Sequence, residues 1–464
     1  MPSNGYDYDL VVLGSGPAGQ KGAICAAKLR KKVAIVEKKW ELGGVCVHSG
    51  TIPSKTLREA VLYLSGFRER TFYGQNYQLK EHVDMNDLTF RVDAVIKRET
   101  DVIQSQLHRN NVMPIDGYGR FLDAHTLEVD NADGAKKFTA DNFLVCTGTR
   151  PAADSHYQID GEHIFNSDQL LAIKQVPREL IVVGAGVIGL EYASMLSALG
   201  VKITLLDARP TILDFIDREI MENLQFQLRQ LGMVFRLGEK VVTCCYDAER
   251  GRVIATLDSG KKVHGDGLLF TVGRQGNTDK LNLESVGLKA ADRGKLEVND
   301  SFQTAVPNIY AAGDVIGFPA LASTSMEQGR IASCNMFGVP AHMRPQFFPY
   351  GIYTIPEISI CGQTEEQLTK DKVPYEVGIA RYGEIAKGQM LGDEHGLLKL
   401  LFHAETLKLL GVHIIGERAA EIVHIGQAVL SFGGDIHYFR DTVFNYPTMA
   451  EAYKVAALDG LNKL

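Results

Sequence analysis

No stretch of this 464-residue chain is apolar for the ~18 residues that a membrane span needs. There is no basic surplus either. Lys and Arg number 49 against 56 Asp and Glu, for a net charge of −7. Without a long Lys/Arg run, the electrostatic footprint of a nucleic-acid binder is missing. The seven cysteines are odd in number and scattered, with only Cys244 and Cys245 adjacent. They have neither zinc spacing nor the pattern of a secreted disulfide framework, and nothing else signals a metal site. The start of the chain, Met1 to Asp7, is polar and acidic, unlike a signal peptide. A reducing cytoplasm is the expected compartment. The composition itself, 45% hydrophobic and 23% charged, is that of a globular protein. At roughly 150 residues per domain the length suggests about three domains.

The first informative stretch is Asp9-Leu-Val-Val-Leu-Gly14-Ser-Gly16-Pro-Ala-Gly19. An apolar run enters a G-x-G-x-x-G turn, a helix is expected around Ala23 to Leu29, and Lys32 to Glu37 reads as a second strand. This is a βαβ unit with a dinucleotide fingerprint. Gly14 allows the tight turn, Gly16 lets backbone approach a pyrophosphate, and Gly19 lets helix and strand pack closely. The helix N-terminus offers free N–H groups to phosphates. Glu37, eighteen residues after Gly19, can accept hydrogen bonds from ribose hydroxyls.

The motif recurs. Gly184, Gly186, Gly189 and Asp207 each lie 170 residues after Gly14, Gly16, Gly19 and Glu37. So regular a repeat implies two dinucleotide domains in one chain. Asp207 favours a free 2′-hydroxyl, as in NAD, while Arg209 could meet the 2′-phosphate of NADP. The plain alternative is a local ion pair between Asp207 and Arg209.

Between the two turns, Ser54 to Phe67 and Asn86 to Arg109 have helical spacing, and Gly117 to Phe138 reads as short strands. Just before them comes Glu41-Leu-Gly43-Gly44-Val45-Cys46-Val-His-Ser-Gly-Thr51-Ile-Pro-Ser-Lys55. This segment resembles the redox-active stretch of the pyridine nucleotide-disulfide oxidoreductases, the lipoamide dehydrogenase and glutathione reductase family. There a second Cys follows the first; here Thr51 stands in its place, and a hydroxyl cannot form a disulfide. Near the other end, Phe444-Asn-Tyr446-Pro447-Thr448-Met-Ala-Glu451 resembles the family's His-Pro tail, with Tyr446 replacing the His. Phenol has a reference pKa near ~10 against ~6.5 for imidazole, a poor match to thiol chemistry at neutral pH. His403, His413, His424 and His437 lie off the motif position and are expected to be structural or surface residues.

Two losses from opposite ends of the chain suggest that hydride is not passed to a disulfide. The pattern resembles the family's transhydrogenase branch. The resemblance implies an α/β fold with two Rossmann-like dinucleotide-binding domains and an α+β C-terminal dimerisation domain. The implied division is 1–150 and 273–345 for FAD, 151–272 for NAD(P), and 346–464 for dimerisation. It implies FAD-dependent, Si-specific hydride transfer between NADPH and NAD⁺ by a homodimer or higher oligomer. FAD contacts are expected from Gly14, Gly16, Gly19, Glu37, Lys38, Gly43, Gly44, Val45, Cys46, Lys55, Thr147, Gly148 and Asp314. Gly184, Gly186, Gly189, Asp207, Arg209 and Gly273 are expected at the nicotinamide nucleotide. Cys46, Lys55 and Glu191 are expected beside the flavin, Lys55 and Glu191 matching a charged pair of the family. An NAD(P)H:quinone reductase or a flavin redox sensor on the same fold is the alternative.

Overall fold

The computed structural model describes residues 5–38, 41–152, 157–342 and 347–464. The polar residues Met1–Asn4 at the start of the chain lie outside them. The chain divides into two compact units.

The first comprises Met1–Leu57, Thr89–Ala153 and Gly273–Met343. Its seven-stranded sheet has the order Met113–Asp116, Val33–Glu37, Tyr8–Leu13, Gly134–Val145, Thr126–Asn131 and Tyr118–Asp123, with Ile309–Ala311 also paired to Gly134–Val145. The centre is parallel: Leu10 lies opposite Val33 on one side and Asn142 on the other. Val11 and Leu13 enter one core with Phe121, Phe143 and Val145. Leu10 and Val12 enter the other, with Ile35, Leu144 and the helix residues Ala18, Ala23 and Ala26. A sheet covered on both faces requires such continuous apolar strands. On the second face, helix Pro17–Lys28 packs against helix Ala322–Met336 with almost no side chain between them. A Cβ on Gly329 would lie 2.0 Å from the Ala18 carbonyl oxygen, so only glycine fits there. Ser333 Oγ seals the contact by donating to the Gly22 carbonyl at 2.9 Å.

The second unit comprises Arg58–Leu88, Asp154–Val272 and Arg344–Leu464. A parallel five-stranded sheet runs Val234–Leu237, Lys202–Asp207, Glu179–Val183, Gly267–Phe270 and Ile164–Asn166. Helix Val187–Ala198 is buried from Gly189 to Ala198, which explains why apolar residues lie on every side of it. The C-terminal part is an antiparallel sheet in the order Tyr350–Ile352, Ile358–Gly362, Leu409–Ile415, Leu397–His403 and Tyr375–Arg381. Helices Ala419–Ser431 and Glu451–Leu461 give it Val423, Leu430, Tyr453 and Ala456, packed on Leu398, Leu400, Phe402 and Val412. Lys399 and Asp217 are both fully buried in this unit: Lys399 Nζ sits 2.9 Å from Asp217, 3.0 Å from Glu219 and in contact with Glu365. The ammonium therefore pairs with the buried Asp217 and offsets part of the remaining acidic charge. His413 is buried, and its Nε2 donates to the Gln363 carbonyl at 2.8 Å. Among the described residues no helix is long and apolar enough to cross a membrane.

Candidate active site

The first glycine turn is built as its spacing predicts. Gly14 has φ +99°, and a Cβ there would lie 2.4 Å from the Cys146 carbonyl oxygen. A Cβ on Gly19 would lie 1.9 Å from the Gly14 carbonyl oxygen. Gly16 faces open space and caps helix Pro17–Lys28 with extended backbone and no side-chain cap. The first-turn N–H groups are thus left for an anion. Glu37 is nearly buried, and its Oε2 accepts from both N and Oγ of Ser15 at 2.7 Å. Its Oε1 accepts from the Lys38 N–H at 2.8 Å. Ser15 Oγ in turn accepts from the Gly43 N–H at 3.0 Å, tying the Gly43-Gly44 segment to the turn.

Gly43 (φ +114°) and Gly44 (φ +60°) then lead into a short helix, Gly44–His48, that carries Val45 and Cys46. A Cβ on Gly44 would be 3.1 Å from Gly16 Cα, so this segment passes against the phosphate turn. Helix Thr51–Leu64 follows. The Thr51 hydroxyl hydrogen-bonds the Cys46 sulfur, and burial raises the thiol's pKa against that bond and the Lys55 charge. Lys55 Nζ lies 3.3 Å from Ser54 Oγ.

Across the same unit, the Thr147 hydroxyl is buried without a hydrogen-bond partner. Gly148 follows at φ +62°. Asp314 comes after Gly313, whose φ is +82°. Its side-chain donors, Thr149 Oγ1 and Ser325 Oγ, are both a long 3.5 Å away. Burial raises its pKa. An orphaned hydroxyl, an under-satisfied carboxylate, bare glycine backbone and an uncapped helix end are the features a dinucleotide would satisfy.

The second turn matches the first. Gly184 has φ +107°, a Cβ on Gly189 would be 2.0 Å from the Gly184 carbonyl oxygen, and Gly186 faces open space. Asp207 Oδ2 accepts from the Ala185 N–H at 2.6 Å. Its Oδ1 accepts from the Arg209 N–H at 2.8 Å, and the Arg209 guanidinium closes on both oxygens at 3.1 and 2.9 Å. Burial raises the Asp207 pKa, but the bonds from Arg209 outweigh it and hold the carboxyl below its ordinary range. Glu191, on the buried helix, accepts from the Tyr353 N–H at 2.8 Å. Gly273 (φ +115°) belongs to the first unit, where a Cβ would meet Arg293 Nη1 at 3.0 Å. Tyr446 is 73% exposed, whereas Glu451 Oε2 is buried without a partner.

Residues 8–329 match the pyridine nucleotide-disulphide oxidoreductase family, and 348–457 match its dimerisation domain. The chain belongs to this family. It is 53% identical over 460 residues, 99% of this chain and 98% of the relative, to the soluble pyridine nucleotide transhydrogenase of Mycobacterium bovis strain BCG / Pasteur 1173P2. It is 46% identical to that of Vibrio cholerae serotype O1, with 98% of each chain covered. The crystal structure of LpdA from Mycobacterium tuberculosis superposes with a TM-score of 0.90 at 26% identity, covering 97% of this chain and 98% of that one. The architecture of two Rossmann-like sheets and a C-terminal dimerisation domain is thus that of the pyridine nucleotide-disulphide oxidoreductases.

Several residues of the site escape a sequence reading. Ser15 occupies a variable position of the fingerprint, yet it couples Glu37 to Gly43. Arg274 binds Thr149 through Nε at 2.8 Å and Nη2 at 2.9 Å, and Asn277 Nδ2 donates to the Thr147 carbonyl at 2.9 Å. Gln328 accepts from the Gly313 N–H at 2.9 Å. The only signal for these last three is nearness to Gly273 or to the Gly313-Asp314 turn. Three of the four tail histidines make local contacts: His403 Nδ1 accepts from the Glu405 N–H, His424 bonds Gln427, and His437 lies 3.5 Å from Asp435.

Proposed function

We propose that this chain is an FAD-dependent, Si-specific transhydrogenase that moves hydride from NADPH to NAD⁺ without a redox disulfide. The observation that carries the reading is the neighbour of Cys46: a Thr51 hydroxyl, hydrogen-bonded to the thiol, where a second thiol would have to be. The names of the relatives support it. FAD, when bound, supplies the two-electron relay between the nucleotides. Gly14, Gly16 and Gly19 give its pyrophosphate bare backbone and a helix end, while Glu37 and Lys38 meet the ribose. Gly43, Gly44, Val45 and Cys46 line the flavin, and Thr147, Gly148 and Asp314 hold the ribityl side. Lys55 places positive charge at the flavin, and Glu191 is the matching charged group on the nucleotide helix.

Gly184, Gly186 and Gly189 serve both nucleotides in turn, in a ping-pong scheme. Asp207 accepts from a free ribose 2′-hydroxyl. Arg209, half exposed, lets go of Asp207 to meet a 2′-phosphate. FAD is assigned to 1–150 and 273–345, the nicotinamide nucleotides to 151–272 with Gly273, and self-association to 346–464. The working form is a homodimer or higher oligomer in the cytoplasm.

Anaerobic stopped-flow kinetics test this. NADPH is expected to reduce the bound flavin, and a thio-analogue of NAD⁺ to reoxidise it quickly. Reduction followed by reoxidation with quinones alone would replace the reading by a quinone reductase. Cys46→Ser is expected to keep transhydrogenation within about threefold, since no bond to sulfur forms. Complete loss in a folded, flavin-loaded variant would show that the thiol takes part.

A further inference from the structure

Cys25 and Cys334 belong to neither glycine turn, and the proposed hydride transfer uses neither. They come from the two helices of the first unit that pack through Gly22 and Gly329. Their sulfurs are 3.5 Å apart. Cys334 is buried, whereas Cys25 is half-buried and lines an open cleft of about 540 Å³. Lys21, Lys28, Arg109 and Arg330 line the same cleft, against the single carboxylate of Glu327. Glu327 is already paired with Arg330, through Nε at 2.9 Å. Arg330 Nη1 also lies 3.7 Å from Cys334 Sγ. A dithiol in contact therefore opens at one sulfur into a cleft with a cationic excess.

We propose that Cys25 and Cys334 form a thiol–disulfide exchange site for negatively charged low-molecular-weight disulfides, with the cationic cleft as its recognition surface. Cys25, the sulfur that opens to the cleft, attacks one sulfur of the incoming disulfide. That S–S bond breaks, and half of the ligand leaves as a thiol with the proton that Cys25 gave up. Cys334 then attacks Cys25 Sγ and expels the second half, which takes the Cys334 proton. The ligand gains two electrons and becomes two thiols, while the cysteine pair loses two and becomes a disulfide. Burial and the adjoining thiol push the Cys25 pKa up to about 11, so exchange accelerates as pH rises through the alkaline range.

The test uses the reduced, flavin-loaded protein. It is incubated at mildly alkaline pH with glutathione disulfide and, in parallel, with the uncharged hydroxyethyl disulfide. Samples are alkylated and mapped as unreduced peptides, which separates this pair from Cys46 and Cys245. The expected product is a Cys25–Cys334 cross-linked peptide. It should form about tenfold faster with glutathione disulfide than with the neutral reagent. The advantage should shrink in high salt and in the Lys21→Gln/Lys28→Gln variant. Cys25→Ser should abolish the cross-link and leave transhydrogenation unchanged. Equal rates with the two reagents would overturn the recognition role of the cleft. Alkylation of both thiols after incubation, or a glutathione adduct that persists on Cys25, would overturn the exchange itself.

Discussion

The two glycine turns have nearly the same backbone and different locks. Gly14 and Gly184 have φ values of +99° and +107°, and both turns end on a carboxylate that accepts from the N–H between the first two glycines. Glu37 is held by the Ser15 hydroxyl and the Lys38 backbone, groups that stay in place when a ligand enters. Asp207 too accepts from backbone N–H groups, but its side-chain partner is the Arg209 guanidinium, 47% exposed. The first lock suits a cofactor that stays. On the proposed function the second suits nucleotides that alternate, because a change of rotamer at Arg209 would offer either a carboxylate or a guanidinium.

The sharpest way to break this comparison is to fill one turn at a time. Gly19→Ala sets a methyl 1.9 Å from the Gly14 carbonyl oxygen, and the purified variant is expected to lose its flavin absorbance and all activity. Gly189→Ala makes the same clash, at 2.0 Å, in the other turn. It should keep flavin while its reduction by NADPH slows by about 100-fold, as a misplaced nucleotide requires. Flavin loss in both variants would mean that the two turns do not act independently.

Arg209→Ala removes the rotating lock. A charge-assisted bond to a 2′-phosphate, discounted for exposure, predicts a rise of about tenfold in KM for NADPH with NADH nearly unchanged. Equal effects on the two nucleotides would reduce Arg209 to a brace for Asp207. The smallest effect concerns pH. Asp207 titrates below its ordinary 3.8, so its hold on the Ala185 N–H is complete above that value and is lost as pH falls through the lowered one. NAD⁺ affinity, followed by calorimetric titration, should therefore stay flat from neutral down to pH about 4. A decline beginning near neutrality would point to another group.

Much of the fold was legible because it rests on local rules. Strict glycine spacing reveals a turn in which a Cβ would overlap a carbonyl, and the 170-residue repeat reveals that the turn occurs twice. The loss of the second thiol is legible at a single position, Thr51. Contacts fixed only by tertiary structure were not legible. Arg274 reaches back to Thr149 across more than a hundred residues, and nothing in its surroundings announces that. Lys399 lies in a strand of hydrophobic residues, and its burial makes sense only once Asp217, Glu219 and Glu365 converge on it. The Cys25–Cys334 contact likewise depends on how two helices some three hundred residues apart come to touch.

That helix contact also has a consequence for biosynthesis. Gly329 meets Ala18, and strand Ile309–Ala311 adds to the sheet that begins at Tyr8. A nascent chain emerges N-terminal end first, and its first βαβ unit is complete long before its partner helix exists. The second face of the cradle must wait, partly uncovered, while the ribosome makes roughly three hundred further residues. Cofactor capture is therefore a late event in the life of the chain, and truncation anywhere before helix Ala322–Met336 should yield a product that cannot hold its flavin however well its first turn is formed.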